Sequence, residues 1–411
     1  MAYDILSLDG GGTWALIQVK ILQQRYGIAA KGHDILKNYD LVIANSGGSM
    51  VLAALCVNKS LSEIETMFLS QDVLETIFVR KFWSRLNPLG GFFPRFKTEE
   101  KPKGLTAQLG PDCKKLMTEL PTHIGKPELQ IIITGFDYDR ERAVYFRSNL
   151  GSKLESSYIQ STVTGSQISE FKTLRLIDAI HASSNAPVQF FDNPAEFNYV
   201  LTNDPTKVTA KRRFWDGAIG GNNNPITAGI LEALANGAQR NEIRIASLGT
   251  ANTLLPISFG DSGEHTSNYD WLTKKGKNEG PAADIKKLST SVISDPPDAA
   301  TFIAHQILEL PFIQNDIRLI RMNPLLKPIL NTANGEWEKP GIDWDEAKLE
   351  HLFNMDMAVT NGEDVQLISK MADQYFEDYF DNQGIRVGGE KLDAILGHKK
   401  FSEALGDWKR W

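Results

Sequence analysis

The stretch Asp40-Leu41-Val42-Ile43-Ala44-Asn45-Ser46-Gly47-Gly48-Ser49-Met50-Val51-Leu52 constrains the fold more than any other. An apolar run stops at small residues around one serine, and a second apolar run begins at once. The pattern predicts a buried strand, a sharp turn and a buried helix. Ala44-x-Ser46-x-Gly48 is one methyl away from the G-x-S-x-G nucleophile elbow. Small residues flank the serine of an elbow because the tight turn leaves no room for a larger side chain. The hydroxyl then projects from the sheet edge, with a helix N-terminus behind it to favour negative charge. A plainer role also fits the same residues, with Ser46 as the N-cap of an ordinary helix.

A second turn of this kind opens the chain. Tyr3 to Leu8 reads as a strand, Asp9-Gly10-Gly11-Gly12-Thr13 follows, and Trp14 to Tyr26 carries helical periodicity. Consecutive glycines let the backbone approach a ligand closely and aim N–H groups at an anion. A phosphate and a developing oxyanion both fit. Gly10-x-Gly12-x-x-Ala15 formally matches a relaxed dinucleotide fingerprint, but the second strand ends in Ala44-Asn45-Ser46 where that fingerprint needs an acid.

Further strands are expected at Leu129–Thr134, with Ala143–Arg147 as its hairpin partner, and at Ile243–Leu248. Helices are expected at Leu61–Leu69, Thr173–Ala182, Ile226–Ala235, Asp298–Leu310, Asp343–Phe353 and Glu363–Phe380. Asp316–Arg321 reads as extended and Asn193–Lys211 as a polar loop. Strands that alternate with helices predict an α/β three-layer sandwich around a mostly parallel sheet, with a C-terminal helical extension. The expected organisation is one catalytic domain over residues 1–380, with an excursion at about 251–297, and a tail at 381–411. Arg213-Phe214-Trp215-Asp216-Gly217-Ala218 places an aspartate between a strand end and a Gly/Asn loop. Loops at strand ends are where such sheets carry their sites.

Composition excludes several classes. Only Cys56 and Cys113 are present, against a disulfide scaffold or a cysteine metal site. A formal net charge of -7 argues against binding duplex DNA or RNA. The start lacks a signal-peptide pattern and no run reaches spanning length, which predicts a cytoplasmic protein. Aromatic and basic residues interleave over Val79–Arg85 and Phe92–Lys97. They suit transient contact with an anionic membrane surface, or a loop whose aromatics fold inward.

An elbow serine needs a base and an oxyanion hole. The histidines are His33, His123, His181, His265, His305, His351 and His398, and none lies in a small-residue loop of catalytic character. His181, at a helix end, fits a structural role. Asp216, followed by Gly217 and Ala218, allows close approach by another loop, which points to a Ser–Asp dyad. Burial with few hydrogen bonds makes such a carboxylate the stronger base.

Asp9-Gly10-Gly11-Gly12, the elbow at Ser46, Ala182-Ser183-Ser184-Asn185-Ala186-Pro187, Asp216-Gly217-Ala218 and Ser247-Leu248-Gly249-Thr250 occur in this order. In this the chain resembles the patatin-like phospholipases. The resemblance implies a patatin-like fold and a lipid acyl hydrolase without a metal, acting on membrane phospholipid from the inner membrane face. Ser46 is then the nucleophile, Asp216 the base, and the N–H groups of Gly10, Gly11 and Gly12 the oxyanion hole. Two departures stand out: Trp14 and Ala15 replace a basic residue and a glycine, and Ala44 replaces the first elbow glycine. Trp14 suits either contact with an acyl chain or core packing. Bacterial relatives include antiphage effectors switched on by cyclic oligonucleotides. Together with the lysines in Trp271–Lys277 and at Lys286 and Lys287, this implies a cyclic dinucleotide activator and a homo-oligomer on activation. The competing expectation is a catalytically weak sensor that uses the glycine loop to bind a phosphate.

Overall fold

The computed structural model describes residues 2–81, 94–149, 174–188, 190–200, 208–253, 269–272, 296–308, 317–331, 333–385 and 396–411. Its centre is an eight-stranded sheet. The strands are β1 (Tyr3–Leu8), β2 (Leu41–Ala44), β3 (Gln130–Asp137), β4 (Arg142–Arg147), β5 (Ala195–Val200), β6 (Val208–Asp216), β7 (Ile243–Leu248) and, after a short β8 (Asn252–Thr253), β9 (Leu319–Met322). Their spatial order is β5-β6-β3-β2-β1-β7-β9, with β4 also paired to β3. Neighbours from β3 through β9 run parallel. On the other flank, β4 and β6 run antiparallel to β3, and β5 antiparallel to β6. The sheet is therefore mostly parallel, as the strand–helix alternation predicts.

The stretch 193–211 departs from expectation. It supplies β5 and the start of β6 rather than a polar loop. The β5–β6 hairpin mixes Glu196, Asn198 and Lys211 with Phe197, a polarity that an antiparallel flank tolerates and a buried parallel strand does not.

Alternation along the central strands builds the layers. Leu6, Leu8, Val42, Ala44, Ala246 and Leu248 face one core, shared with the helices Leu16–Tyr26 and Ser46–Cys56. Ile5, Leu41, Ile43, Ile243 and Ile245 face the other, under the helices Ile226–Ala235 and Pro296–Leu308. Successive residues of a strand point to opposite faces, so both sides of the sheet are covered. Gly229 lets its helix approach closely, since a Cβ there would lie 3.0 Å from Ile43 Cγ2. The C-terminal helices Gly362–Phe376 and Phe401–Trp408 join the first core, and Trp408 meets Tyr26 edge-on at 6.0 Å.

Minor pairings tie the C-terminal part together. They are β8 with β10 (Pro324–Leu326), a hairpin of β11 (Ile329–Asn331) and β12 (Glu336–Glu338), and β10 with β13 (Asp381–Asn382). Most of the expected 251–297 excursion, with Lys274, Lys275, Lys277, Lys286 and Lys287, lies outside the described residues, as do residues 82–93 of the aromatic and basic segment. Within the described part of that segment, Phe96 turns inward against Phe78 and Phe191. Among the described residues, no helix is long and apolar enough to cross a membrane.

Ile230 is fully buried in the second core. Ile230→Ala is expected to cost about 2–5 kcal/mol of stability, read as a lowered urea midpoint with an unchanged slope.

Candidate active site

β2 delivers the chain to the elbow. Asn45 stays extended and Ser46 turns to φ +46° before the helix Ser46–Cys56 begins. The left-handed region costs a non-glycine residue about 1–2 kcal/mol, so the surroundings must enforce it. The Ser46 N–H donates to Ser183 Oγ at 2.9 Å, and the Ser49 N–H returns to the Asn45 carbonyl at 3.1 Å. Gly48 sits where a Cβ would lie 2.6 Å from the Asp9 carbonyl oxygen and 2.7 Å from that of Leu8. A glycine is needed there, whereas Ala44 fits within the core. The N-cap position belongs to Asn45, so Ser46 does not serve as the helix cap. Its side chain is almost covered, with the residue 6% exposed.

Asp216 reaches Ser46 from the end of β6. It is 2% exposed, and its carboxylate accepts hydrogen bonds from the Ala218 N–H at 2.9 Å and Asn45 Nδ2 at 3.1 Å, both on Oδ1. Asn45, which holds this carboxylate, is the residue before Ser46, and the Ser46 side chain is among the groups that lower the Asp216 pKa. The Asp216 N–H is fixed on the Asn185 carbonyl at 3.1 Å. Gly217 keeps the approach open, because a Cβ there would strike Asn45 Oδ1 and Thr134 Oγ1. Burial pushes the Asp216 carboxyl above the ordinary aspartate range. The Ser46 side chain, the hydrogen bonds from Ala218 and Asn45 and the charge of Lys101 draw it back. The expected partners Ser46 and Asp216 are therefore brought to the same place through the Asn45 amide.

The glycine loop packs against the first turn of the elbow helix. A Cβ on Gly10 would come 3.0 Å from Ser46 Cβ, and one on Gly47 would strike Gly12. Gly12 takes φ +58°, a conformation open to glycine. Of the three expected oxyanion donors, Gly10 is otherwise engaged. Its N–H donates to the Asn223 carbonyl at 2.8 Å, and its carbonyl accepts from Thr250 Oγ1 at 2.6 Å. That correction leaves the N–H groups of Gly11 and Gly12, which have no acceptor among the described residues. The loop continues into Thr13, whose N–H and Oγ1 bond to the carbonyls of Met357 (3.0 Å) and Val359 (2.6 Å). Trp14 packs in the core, with Nε1 on the Asp356 carbonyl at 3.0 Å, which decides its role in favour of packing.

Several residues around the site carry no local sequence signal. Asn45 Oδ1 accepts from Thr134 Oγ1 at 2.6 Å while its Nδ2 holds Asp216, so one amide links β2, β3 and β6. Lys101 is fully buried, its Nζ on the His181 carbonyl at 3.3 Å and 4.3 Å from the Phe191 ring centre. Burial drives its amine well below the ordinary lysine range, while Asp216 pulls in the opposite direction. His181 is buried and its titration is lowered by desolvation and by Lys101, which keeps the ring neutral. Other histidines are engaged elsewhere: His33 with the Cys56 carbonyl, His351 with Asp364 and His398 with Asp407, each at 2.8 Å. Among the described residues, no cluster of three or more His, Cys, Asp or Glu is placed to hold a metal. A hydroxyl, a buried carboxylate and unpaired backbone amides in one place can perform acyl transfer.

The family model for patatin-like phospholipase matches residues 6–230, more than half of the chain. Among solved structures, VipD from Legionella pneumophila matches at 11% identity with a TM-score of 0.31, over 90% of this chain and 67% of that one. The type III effector protein ExoU matches at 12% identity with a TM-score of 0.22, over 46% of this chain and 39% of that one. No curated protein matches the sequence.

The tight contact at Gly48 predicts that Gly48→Ala lowers stability by about 1–3 kcal/mol, through the collision with the Leu8 and Asp9 carbonyls. Urea unfolding measures it, and an unchanged midpoint would contradict the packing described.

Proposed function

The chain belongs to the patatin-like phospholipase family, and from that premise we propose that it hydrolyses acyl esters of membrane phospholipids through a Ser46–Asp216 dyad. The observation that carries the proposal is a serine held in left-handed backbone beside a buried carboxylate, which the amide of the adjoining Asn45 holds at 3.1 Å. In the proposed reaction, Ser46 Oγ attacks the ester carbonyl carbon and its proton passes to Asp216. The carbonyl oxygen becomes an oxyanion and takes hydrogen bonds from the Gly11 and Gly12 N–H groups. Collapse of the tetrahedral intermediate breaks the bond to the alcohol. The lysophospholipid leaves with the proton from Asp216, and an acyl-serine remains. A water molecule gives a proton to Asp216 as it attacks the acyl carbon; collapse breaks the bond to Ser46 Oγ, the fatty acid leaves, and Asp216 returns the proton to Ser46.

Lys101 supports the base electrostatically. A buried carboxylate favours its protonated form, and a nearby cation opposes that tendency. The catalytic unit in this proposal is residues 1–380, working at the inner membrane face. Gating by a cyclic dinucleotide, with assembly into a homo-oligomer and a part in antiphage defence, rests on the sequence alone. Its test is binding and lipid release across a panel of such nucleotides.

Ser46→Ala is expected to abolish release of fatty acid from vesicles of mixed bacterial phospholipid. Asp216→Asn is expected to slow it by about 10³-fold. Wild type is expected to be labelled by a fluorophosphonate at Ser46, found by peptide mass spectrometry. Equal release by wild type and Ser46→Ala would overturn the mechanism, and absence of both labelling and release would favour a phosphate-binding sensor.

The pH dependence follows from the raised Asp216 pKa. The base form disappears as pH falls through that value, so the acid limb of kcat/KM lies above the ordinary aspartate range. Where the Lys101 amine carries its proton, removing that charge raises the Asp216 pKa further. Lys101→Met is therefore expected to move the limb to higher pH, and a pH–rate profile of wild type beside Lys101→Met checks the direction.

A further inference from the structure

The glycine loop is held by residues far beyond the segment that matches the family. Asp9, the residue before Gly10, is buried, and its Oδ2 accepts from Arg321 Nη2 at 2.5 Å. Arg321 lies on β9 and is buried as well, with Nη1 on Ser247 Oγ at 2.7 Å. β7 separates β9 from β1, so the guanidinium reaches past one strand to the end of the next. The other oxygen of Asp9 has no hydrogen-bond partner among the described residues, where Arg321 is its main counter-charge. Burial pushes the Asp9 carboxyl up and Arg321 pulls it back. The backbone of Asp9 is also clamped, with its N–H on the Leu248 carbonyl at 3.0 Å and its carbonyl on Gln18 Nε2 at 2.9 Å. One end of the Gly10–Gly12 run is thus anchored at Asp9. The other is anchored at Thr13 by the carbonyls of Met357 and Val359.

We propose that Arg321 is a positioning residue for the oxyanion hole: through its ion pair with Asp9 it fixes the Gly11 and Gly12 amides beside Ser46. The proposal rests on the acyl-transfer function above. Arg321 touches neither Ser46 nor Asp216 in any described contact, so its effect on the reaction is indirect. A buried carboxylate stripped of its cation must take up a proton, admit water or move. Each of these loosens the anchor on the peptide next to Gly10.

The test compares wild type with Arg321→Met, Arg321→Lys and Asp9→Asn in the full chain. Hydrolysis of a soluble short-chain nitrophenyl ester gives kcat and KM, and inactivation by a fluorophosphonate, whose phosphoryl oxygen occupies the oxyanion position, gives a second rate. Ile230→Ala serves as a destabilised control away from the glycine loop. Arg321→Met is expected to lose about 10²-fold in kcat and in inactivation rate, the size seen when an oxyanion donor is lost, with KM within about twofold. Arg321→Lys, which restores a cation to Asp9, is expected to recover part of the loss. Asp9→Asn, which keeps the shape and removes the charge, is expected to show the same kcat-selective loss and keeps the test open if Arg321→Met does not fold. Arg321→Met or Asp9→Asn variants that match the control in both rates, with only a lowered thermal midpoint, would overturn the proposal. Wild type that neither turns over the ester nor reacts with the fluorophosphonate would instead overturn the underlying function.

Discussion

The side-chain amide of Asn45 holds the parts of the site in register. Its carbonyl end takes the Thr134 hydroxyl, and its amino end takes the Asp216 carboxylate. Both partners come from neighbouring strands, and Asn45 itself is the residue before Ser46. An amide buried with both ends satisfied is rigid, because any rotation leaves a donor or acceptor without a partner in a site that excludes water. The serine inherits that rigidity. Its left-handed backbone survives because the strand behind it and the helix ahead of it are packed too closely to relax.

Electrostatics adds a second constraint. Asp216 and Asp9 are both buried carboxylates near the same glycine loop, and each has a buried cation in its field, Lys101 for one and Arg321 for the other. The two differ in bonding. Arg321 is locked to Asp9 and Ser247 by hydrogen bonds, whereas Lys101 donates to a main-chain carbonyl and leaves Asp216 bonded to neutral donors. A base must be free to accept a proton, and an anchor must not be. The arrangement assigns one duty to each acid.

Much of this was legible in the chain. The strand–serine–helix pattern at 40–55 and the glycine run after β1 are local signals, and small residues at fixed offsets encode a tight turn wherever they occur. Asp216-Gly217-Ala218 carries the same kind of local signature. Asn45, Thr134, Lys101 and Arg321 gave none, because each owes its role to the strand or helix that happens to lie beside it. Gly10 was drawn into the oxyanion set by its neighbours in the run, yet the carbonyl of Asn223 takes its N–H. The β5–β6 hairpin was lost for a related reason: its polar mixture resembles a loop until the partner strand is known. The side chain of Trp14, open to two roles on paper, is fixed by a carbonyl more than three hundred positions away.

The Asp216 carboxylate is lopsided. The Ala218 N–H and the Asn45 amino group both crowd onto Oδ1. Oxygen lone pairs already engaged by two donors are poor landing places, so Oδ2 is the more basic atom. In the proposed chemistry this gives proton delivery a handedness. The hydrogen enters and leaves along a single edge of the carboxyl plane, and a substrate whose departing oxygen lies off that edge goes unprotonated however well its acyl chain is seated.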